Sequence, residues 1–86
     1  MFNLSQNYPN PFNPTTLIRY TIAGSKEVKL GVYDILGREV AVLVNERRGP
    51  GSYEVTFDGS GLSSGVYVYR LIVGNFVESR KMVLMK

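Results

Sequence analysis

Two stretches rich in β-branched and aromatic residues, 66–73 (VYVYRLIV) and 76–86 (FVESRKMVLMK), are separated only by Gly74 and Asn75. Apolar runs joined by two residues that tolerate positive φ are the strongest short-range hairpin signal a sequence carries. The turn-forming residues Leu62-Ser63-Ser64-Gly65 precede the first run, so the end of the chain is expected to be turn, strand, reversal and strand. The remainder must supply what this hairpin packs against.

Of the 86 residues, 44% are apolar and 20% charged, with six Tyr and four Phe, the balance of a globular chain. At this length only about 60% of the unfolded surface is buried, which leaves room for one modest core. Residues 1–86 are therefore expected to be a single domain, with 1–14 as its Pro/Asn-rich lead-in. Without cysteine there is neither a disulfide framework nor a thiolate metal site, and stability must come from packing. The N-terminus has no basic region followed by an apolar block, and no run approaches the roughly 18 apolar residues of a membrane span. Neither a signal peptide nor stable membrane insertion is expected. The net charge of +3 comes from ten Lys and Arg residues scattered over turns and strands. Nucleic-acid binders gather such residues into a stripe between stacking aromatics, so no nucleic-acid partner is expected.

Residues 2–14 (FNLSQNYPNPFNP) hold three of the four prolines. Leu4, Tyr8 and Phe12 recur every four residues, but Pro9, Pro11 and Pro14 forbid a helix, because each fixes its own φ and pushes its predecessor toward extended geometry. A Tyr and a Phe this close together do not suit a free linker. The segment is expected to lie along the domain with its aromatics plugging one end of the core.

Residues 15–22 alternate, with Ile18, Tyr20 and Ile22 on one face. After a turn at 23–26, Val28, Leu30 and Val32 give a second strand, in which Gly31 points to a bulge or a close backbone approach. Residues 34–38 (DILGR) form a tight connection: Asp34 caps the turn and Gly37 supplies positive φ. A third strand is expected at 39–44, an exposed loop at 45–51 (NERRGPG), and a fourth strand with Tyr53, Val55 and Phe57 inward before a break at 58–61 (DGSG).

No helical period of useful length occurs, and strand signals return roughly every 8–12 residues. A single sheet would leave an apolar face wet. The expected fold is all-β, an Ig-like antiparallel β-sandwich of about seven strands. Such sandwiches contain a corner in which a Tyr at the start of a late strand returns its hydroxyl to backbone a few residues upstream. Here Leu62 would enter the core, Gly65 make the turn and Tyr67 form the corner, which puts Tyr67, Tyr69, Leu71 and Val73 inside. In a two-residue hairpin Tyr69 then faces Arg80 and Leu71 faces Glu78, placing two charges inward. A bulge that shifts the last strand is the favoured escape; the other is an inner face that is polar midway and apolar again at Met82 and Leu84.

With no His and no Cys, the usual general base, metal ligand and activated thiol are absent. The carboxylates (Asp34, Asp58, Glu27, Glu39, Glu46, Glu54, Glu78) form no recognised pair. Asp58-Gly59-Ser60-Gly61 lacks both the following helix of a phosphate loop and the further acidic ligands of a calcium loop. Neither an enzyme nor a cofactor is expected.

Four stretches together resemble, nearly end to end, the type A C-terminal sorting domain of proteins exported by the type IX (Por) secretion system. They are residues 4–14 (LSQNYPNPFNP), 32–40 (VYDILGREV), 62–67 (LSSGVY) and 80–86 (RKMVLMK). The motif positions carrying the resemblance are Pro9, Pro11, Phe12, Asp34, Gly37, Leu62, Gly65 and Tyr67. Gly31 and the short 23–26 turn depart from the family pattern. The resemblance implies a non-catalytic sorting signal at the end of a larger secreted protein. It also implies transit through the periplasm to the cell surface or the medium, recognition by the outer-membrane translocon, and removal by a surface sortase-like peptidase. On this resemblance Met1 is expected to be an addition to the natural chain, with any export address lying in an N-terminal cargo.

The last strand is the expected recognition element, through Lys81, Val83, Met85 and Lys86, since an edge strand offers unpaired N–H and C=O groups to a partner strand. The same lysines would equally serve as edge protection. Two other functions remain open from the residues: a carbohydrate-binding or adhesion module using Tyr33 and Tyr69, and a structural Ig-like spacer.

Overall fold

The period-2 alternation of apolar residues is realised as strands throughout. The structure, a computed structural model, describes residues 2–86; Met1 lies outside the described residues. The strands are β1 (Asn3–Leu4), β2 (Thr15–Ile22), β3 (Lys26–Tyr33), β4 (Glu39–Arg48), β5 (Gly51–Asp58), β6 (Gly65–Val73) and β7 (Phe76–Leu84). They form a three-stranded sheet, β1-β2-β5, facing a four-stranded sheet, β4-β3-β6-β7, with every ladder antiparallel. Over the described residues the molecule is thus the all-β sandwich of about seven strands expected from its sequence.

In the constant-type immunoglobulin arrangement the fourth strand joins the first sheet; here β4 pairs with β3. The cause is local. The Asp34 carboxylate accepts from the N–H groups of Leu36 and Arg38, both at 2.9 Å, and Gly37 takes φ +81°. The connection is too tight to cross between sheets. Instead β4 runs on through Arg48, pairing Asn45 with Lys29 and Arg48 with Lys26. The exposed loop expected at 45–51 therefore reduces to Gly49 and Pro50. Its polar residues read as loop because this end of β4 is wet on its outer side. Yet Arg48 lays its guanidinium 5.0 Å from the centroid of the Tyr53 ring.

The inward faces are Ile18, Tyr20 and Ile22, then Val28, Leu30 and Val32, and Tyr67, Tyr69, Leu71 and Val73, all buried together with Leu4, Phe12, Phe57, Met82 and Leu84. Each large apolar side chain removed from water contributes roughly 1.5–3 kcal/mol, and the core draws on both sheets and the lead-in. Tyr53 and Val55 are only half-buried.

The Gly74-Asn75 turn uses positive φ only at Gly74 (+60°), the glycine-first pattern of a type II′ reversal. From Val73↔Phe76 to Gly65↔Leu84 the strands then pair residue by residue. The bulge favoured from the sequence is absent, and Arg80 and Glu78 do sit on the inner face. They are tolerated because this face meets the margin of the sandwich rather than its centre. Arg80 Nε donates to the Leu4 carbonyl at 2.6 Å, and its Nη2 pairs with Glu78 at 3.0 Å. Bulges occur on the other flank instead. The β3–β4 register shifts at Leu30/Gly31 and again at Val32/Tyr33. The close approach at Gly31 comes from a side chain, not from backbone: a Cβ there would stand 3.0 Å from the Tyr33 hydroxyl oxygen.

Candidate functional site

The lead-in does more than plug the core. Leu4 and Phe12 are buried, but Tyr8 is 80% exposed, contrary to the expectation that both aromatics turn inward. Tyr8 exchanges two main-chain bonds with Leu17, at 3.0 and 2.9 Å. Its neighbour Asn7 turns inward in its place and is 2% exposed. The Asn7 amide group donates to Thr16 Oγ1 at 3.0 Å and to the Pro9 carbonyl at 3.2 Å, while its Oδ1 accepts from Gln6 at 2.7 Å. Its backbone N–H donates to the Tyr69 hydroxyl at 2.8 Å, and that hydroxyl donates to the Ser5 carbonyl at 2.6 Å. Burial pushes the Tyr69 phenol above its ordinary pKa, an effect the Asn7 N–H only partly offsets. The phenol therefore stays protonated and keeps donating.

From this anchorage the lead-in runs along β7. In a two-residue hairpin alternate residues turn their main-chain groups away from the partner strand, which here puts Val77, Ser79, Lys81 and Val83 on the outer edge. Gln6 Nε2 donates to the Lys81 carbonyl at 2.8 Å, and Val83 N–H donates to Asn10 Oδ1 at 2.9 Å. Phe12 N–H donates to the Val83 carbonyl and Met85 N–H to the Phe12 carbonyl, both at 2.9 Å, making a parallel bridge between Phe12 and Leu84. The last strand is therefore not a bare edge. Its C-terminal half is already covered by residues 6–12.

The side chains proposed for recognition remain available. Lys81 and Lys86 are exposed, Val83 half-buried and Met85 57% exposed. The Lys86 N–H donates to Ser64 Oγ at 3.0 Å, and its ammonium reaches the Ser60 carbonyl. Of the motif positions, Phe12 packs edge-on to Phe57, with ring centroids 6.0 Å apart. The Pro9 carbonyl accepts from Thr16 Oγ1 at 2.8 Å, and Pro11 is exposed. Leu62 is half-buried against the core, Gly65 opens β6, and the Tyr67 hydroxyl donates to the Ser63 carbonyl at 2.6 Å. Tyr53 makes the same return to Gly49, at 2.8 Å, a second corner that the sequence reading missed. Asp34 and Gly37 lie at the tip of the β3–β4 hairpin, on the side of β6 away from β7. Hydrogen bonds from the Arg38 and Leu36 N–H groups and the Arg38 guanidinium hold the Asp34 carboxyl below its usual pKa, the Arg38 N–H most of all.

Gln6, Asn7 and Asn10 are the side chains holding the lead-in in place that sequence reasoning passed over. A signal was present: prolines remove N–H donors, so a proline-rich segment that lines a strand edge must bond through side-chain amides. The three amides stand in the run SQNYPNP.

Among the described residues no group of three or more acidic, His or Cys side chains gathers in one place, and no helix is long and apolar enough to cross a membrane. A surface depression lined by Ser5, Arg19, Thr21, Ser52 and Glu54 contains an Arg19–Glu54 ion pair at 2.6 Å. Tyr69 is buried, and Tyr33 is half-buried with the Arg70 guanidinium 4.9 Å from its ring centroid. The two do not form an exposed aromatic row, and nothing supports the carbohydrate-binding or spacer alternatives.

Fold and site together define a small Ig-like β-sandwich whose distinguishing feature is a strand edge rather than a pocket. The model of the secretion system C-terminal sorting domain family matches residues 6–85, and the chain belongs to that family. It is a C-terminal sorting signal of the type IX secretion system, directing an attached cargo for export to the cell surface or beyond. No curated protein matches the chain.

Proposed function

We propose that the chain is a type A sorting domain and that residues 1–86 belong to this single domain. In this proposal it carries an N-terminal cargo through the periplasm, is recognised by the outer-membrane translocon, and is then removed by a surface sortase-like peptidase. It takes no part in the chemistry. Recognition falls on the outward side chains of the last strand: Lys81, Val83, Met85 and Lys86. The observation that carries this is the division of labour along β7, where Met82 and Leu84 are buried in the core while the residues between and beyond them point out.

The test is a fusion of residues 2–86 to a periplasmic reporter in a host with a working type IX system. Removing 81–86 outright would also remove Met82 and Leu84 and unfold the sandwich, so the informative variant combines Lys81→Glu, Met85→Ala and Lys86→Glu. These changes should leave the folded domain intact, by circular dichroism, and abolish surface delivery. Delivery at the parent level would show that these side chains are not read. No delivery of the parent fusion would overturn the sorting function for this chain.

A further inference from the structure

The outer edge of β7 is occupied over one half and open over the other. The Lys81 carbonyl, the Val83 N–H and carbonyl and the Met85 N–H are taken up by Gln6, Asn10 and Phe12. At Val77 and Ser79 no main-chain partner is found among the described residues, and Val77 is 57% exposed. The occupant is an extended segment aligned parallel to β7. Between its buried anchors Leu4 and Phe12, its grip on the strand comes from the exposed residues Gln6 and Asn10. The chain's own lead-in thus shows what fits this edge, namely another extended backbone.

We infer that β7 is engaged by strand exchange. An extended segment of a partner protein pairs first with the open N–H and C=O groups of Val77 and Ser79, and from that foothold competes with residues 6–12 for Lys81, Val83 and Met85. The partner segment carries apolar side chains beside Val77 and Val83 and an acidic one beside Lys81, since opposite charges and apolar pairs are the favourable cross-strand neighbours. The inference rests on the sorting function proposed above and specifies how the last strand becomes accessible. Short exposed hydrogen-bonded segments open far more often than core strands, which is what a displaceable cover requires.

Hydrogen exchange on the full chain tests the cover by itself. The N–H groups of Val83 and Met85 should exchange at least about tenfold faster than that of Leu30 in central β3. Combined Gln6→Ala and Asn10→Ala should speed them further while leaving Leu30 unchanged. Exchange of all three at one common rate, through global unfolding only, overturns the inference. Delivery tests the foothold. A proline is tolerated on an edge strand where its missing N–H faced solvent, so Ser79→Pro keeps the β6–β7 ladder while removing a donor from the open edge. Its delivery should fall about tenfold or more while its thermal midpoint is retained, and a folded Ser79→Pro delivered at the parent level overturns the inference. If that variant does not fold, the Gln6→Ala/Asn10→Ala pair decides. Delivery at or above the parent level supports exchange, and reduced delivery of the folded pair overturns it. Failure of the parent fusion to be delivered is a separate outcome that strikes the sorting function, whereas the exchange rates speak to the cover alone.

Discussion

The four-stranded sheet has two edges, and they are protected by opposite means. On the β4 side the strand itself is distorted: two register shifts against β3 bend and twist the edge so that no flat strand can add to it. Charge reinforces this, with Glu39 held by Lys29 at 2.8 Å and Glu46 by Arg48 at 3.2 Å. On the β7 side the strand stays in register throughout, and the protection is a separate piece of chain laid along it. A bulge cannot be taken off, but a cover can. The contrast teaches that one edge is closed permanently while the other stays regular and able to pair.

The comparison breaks most readily at Phe12, which pins the cover. Phe12→Ala empties a buried site between Phe57 and Leu84 and should cost about 3–5 kcal/mol in urea unfolding. A loss below about 1 kcal/mol would mean the cover is only loosely seated. Next is Tyr69→Phe, which removes the hydroxyl serving both Ser5 and Asn7. It should cost about 1–3 kcal/mol and speed exchange at Val83 ahead of Leu30. Equal acceleration at both sites would dissolve the distinction between cover and core.

On the β4 side, Gly31→Ala should cost no more than about 1 kcal/mol, because the group that must give way is the end of the Tyr33 ring, which can tilt. An NMR shift change at Arg70 would report the tilt, and a loss above about 3 kcal/mol would show that this flank cannot yield. The smallest effect is the pH response, which separates the two sides by chemistry. Hydrogen bonds from the Arg38 N–H and from Lys29 depress the pKa values of Asp34 and Glu39 respectively. Their stabilisation is complete above the ordinary carboxylate range and is lost as pH falls through the folded values, below about pH 5. Lys29 is raised by its bond to Glu39, so its stabilisation is complete below the ordinary lysine value and is lost as pH rises through the folded one. Asp34→Asn should flatten the acid limb of stability against pH and leave exchange at Val83 unchanged. An unaltered acid limb would remove Asp34 from the account.

The elements with a period-2 pattern could be read directly: β2, β3, β6 and the inward set on each are set by alternation that nothing distant contradicts. So could the Tyr67 corner, because its hydroxyl reaches only four residues back. What could not be read depended on partners remote in sequence. Arg80 looks misplaced on an inner face until the Leu4 carbonyl is brought against it, and no local pattern announces that meeting. Asn45 to Arg48 look like loop because strand there is held by pairing with the start of β3, not by burial. Tyr8 was expected inward but faces solvent, and Asn7 is buried instead, because main-chain bonding of Tyr8 to Leu17 fixes which of the two turns inward. The exposure of Lys81, Met85 and Lys86, proposed above for recognition, could be read from the sequence, whereas the cover over the strand's backbone could not.

The parallel alignment of the lead-in with β7 has a mechanical consequence. Phe2 stacks against Phe76 at the start of β7, with ring centroids 5.3 Å apart, while Lys86 lies beyond the strand's other end. Tension between a cargo on the N-terminal side and a receptor holding the C-terminus would slide the two segments along each other and load their hydrogen bonds in shear, all at once. Handles at Ser64 and Lys86 would instead peel the β6–β7 hairpin from its open end, one pair at a time. Single-molecule pulling should therefore find the chain stronger when held at residues 2 and 86 than at 64 and 86; equal rupture forces would mean that the cover bears no load.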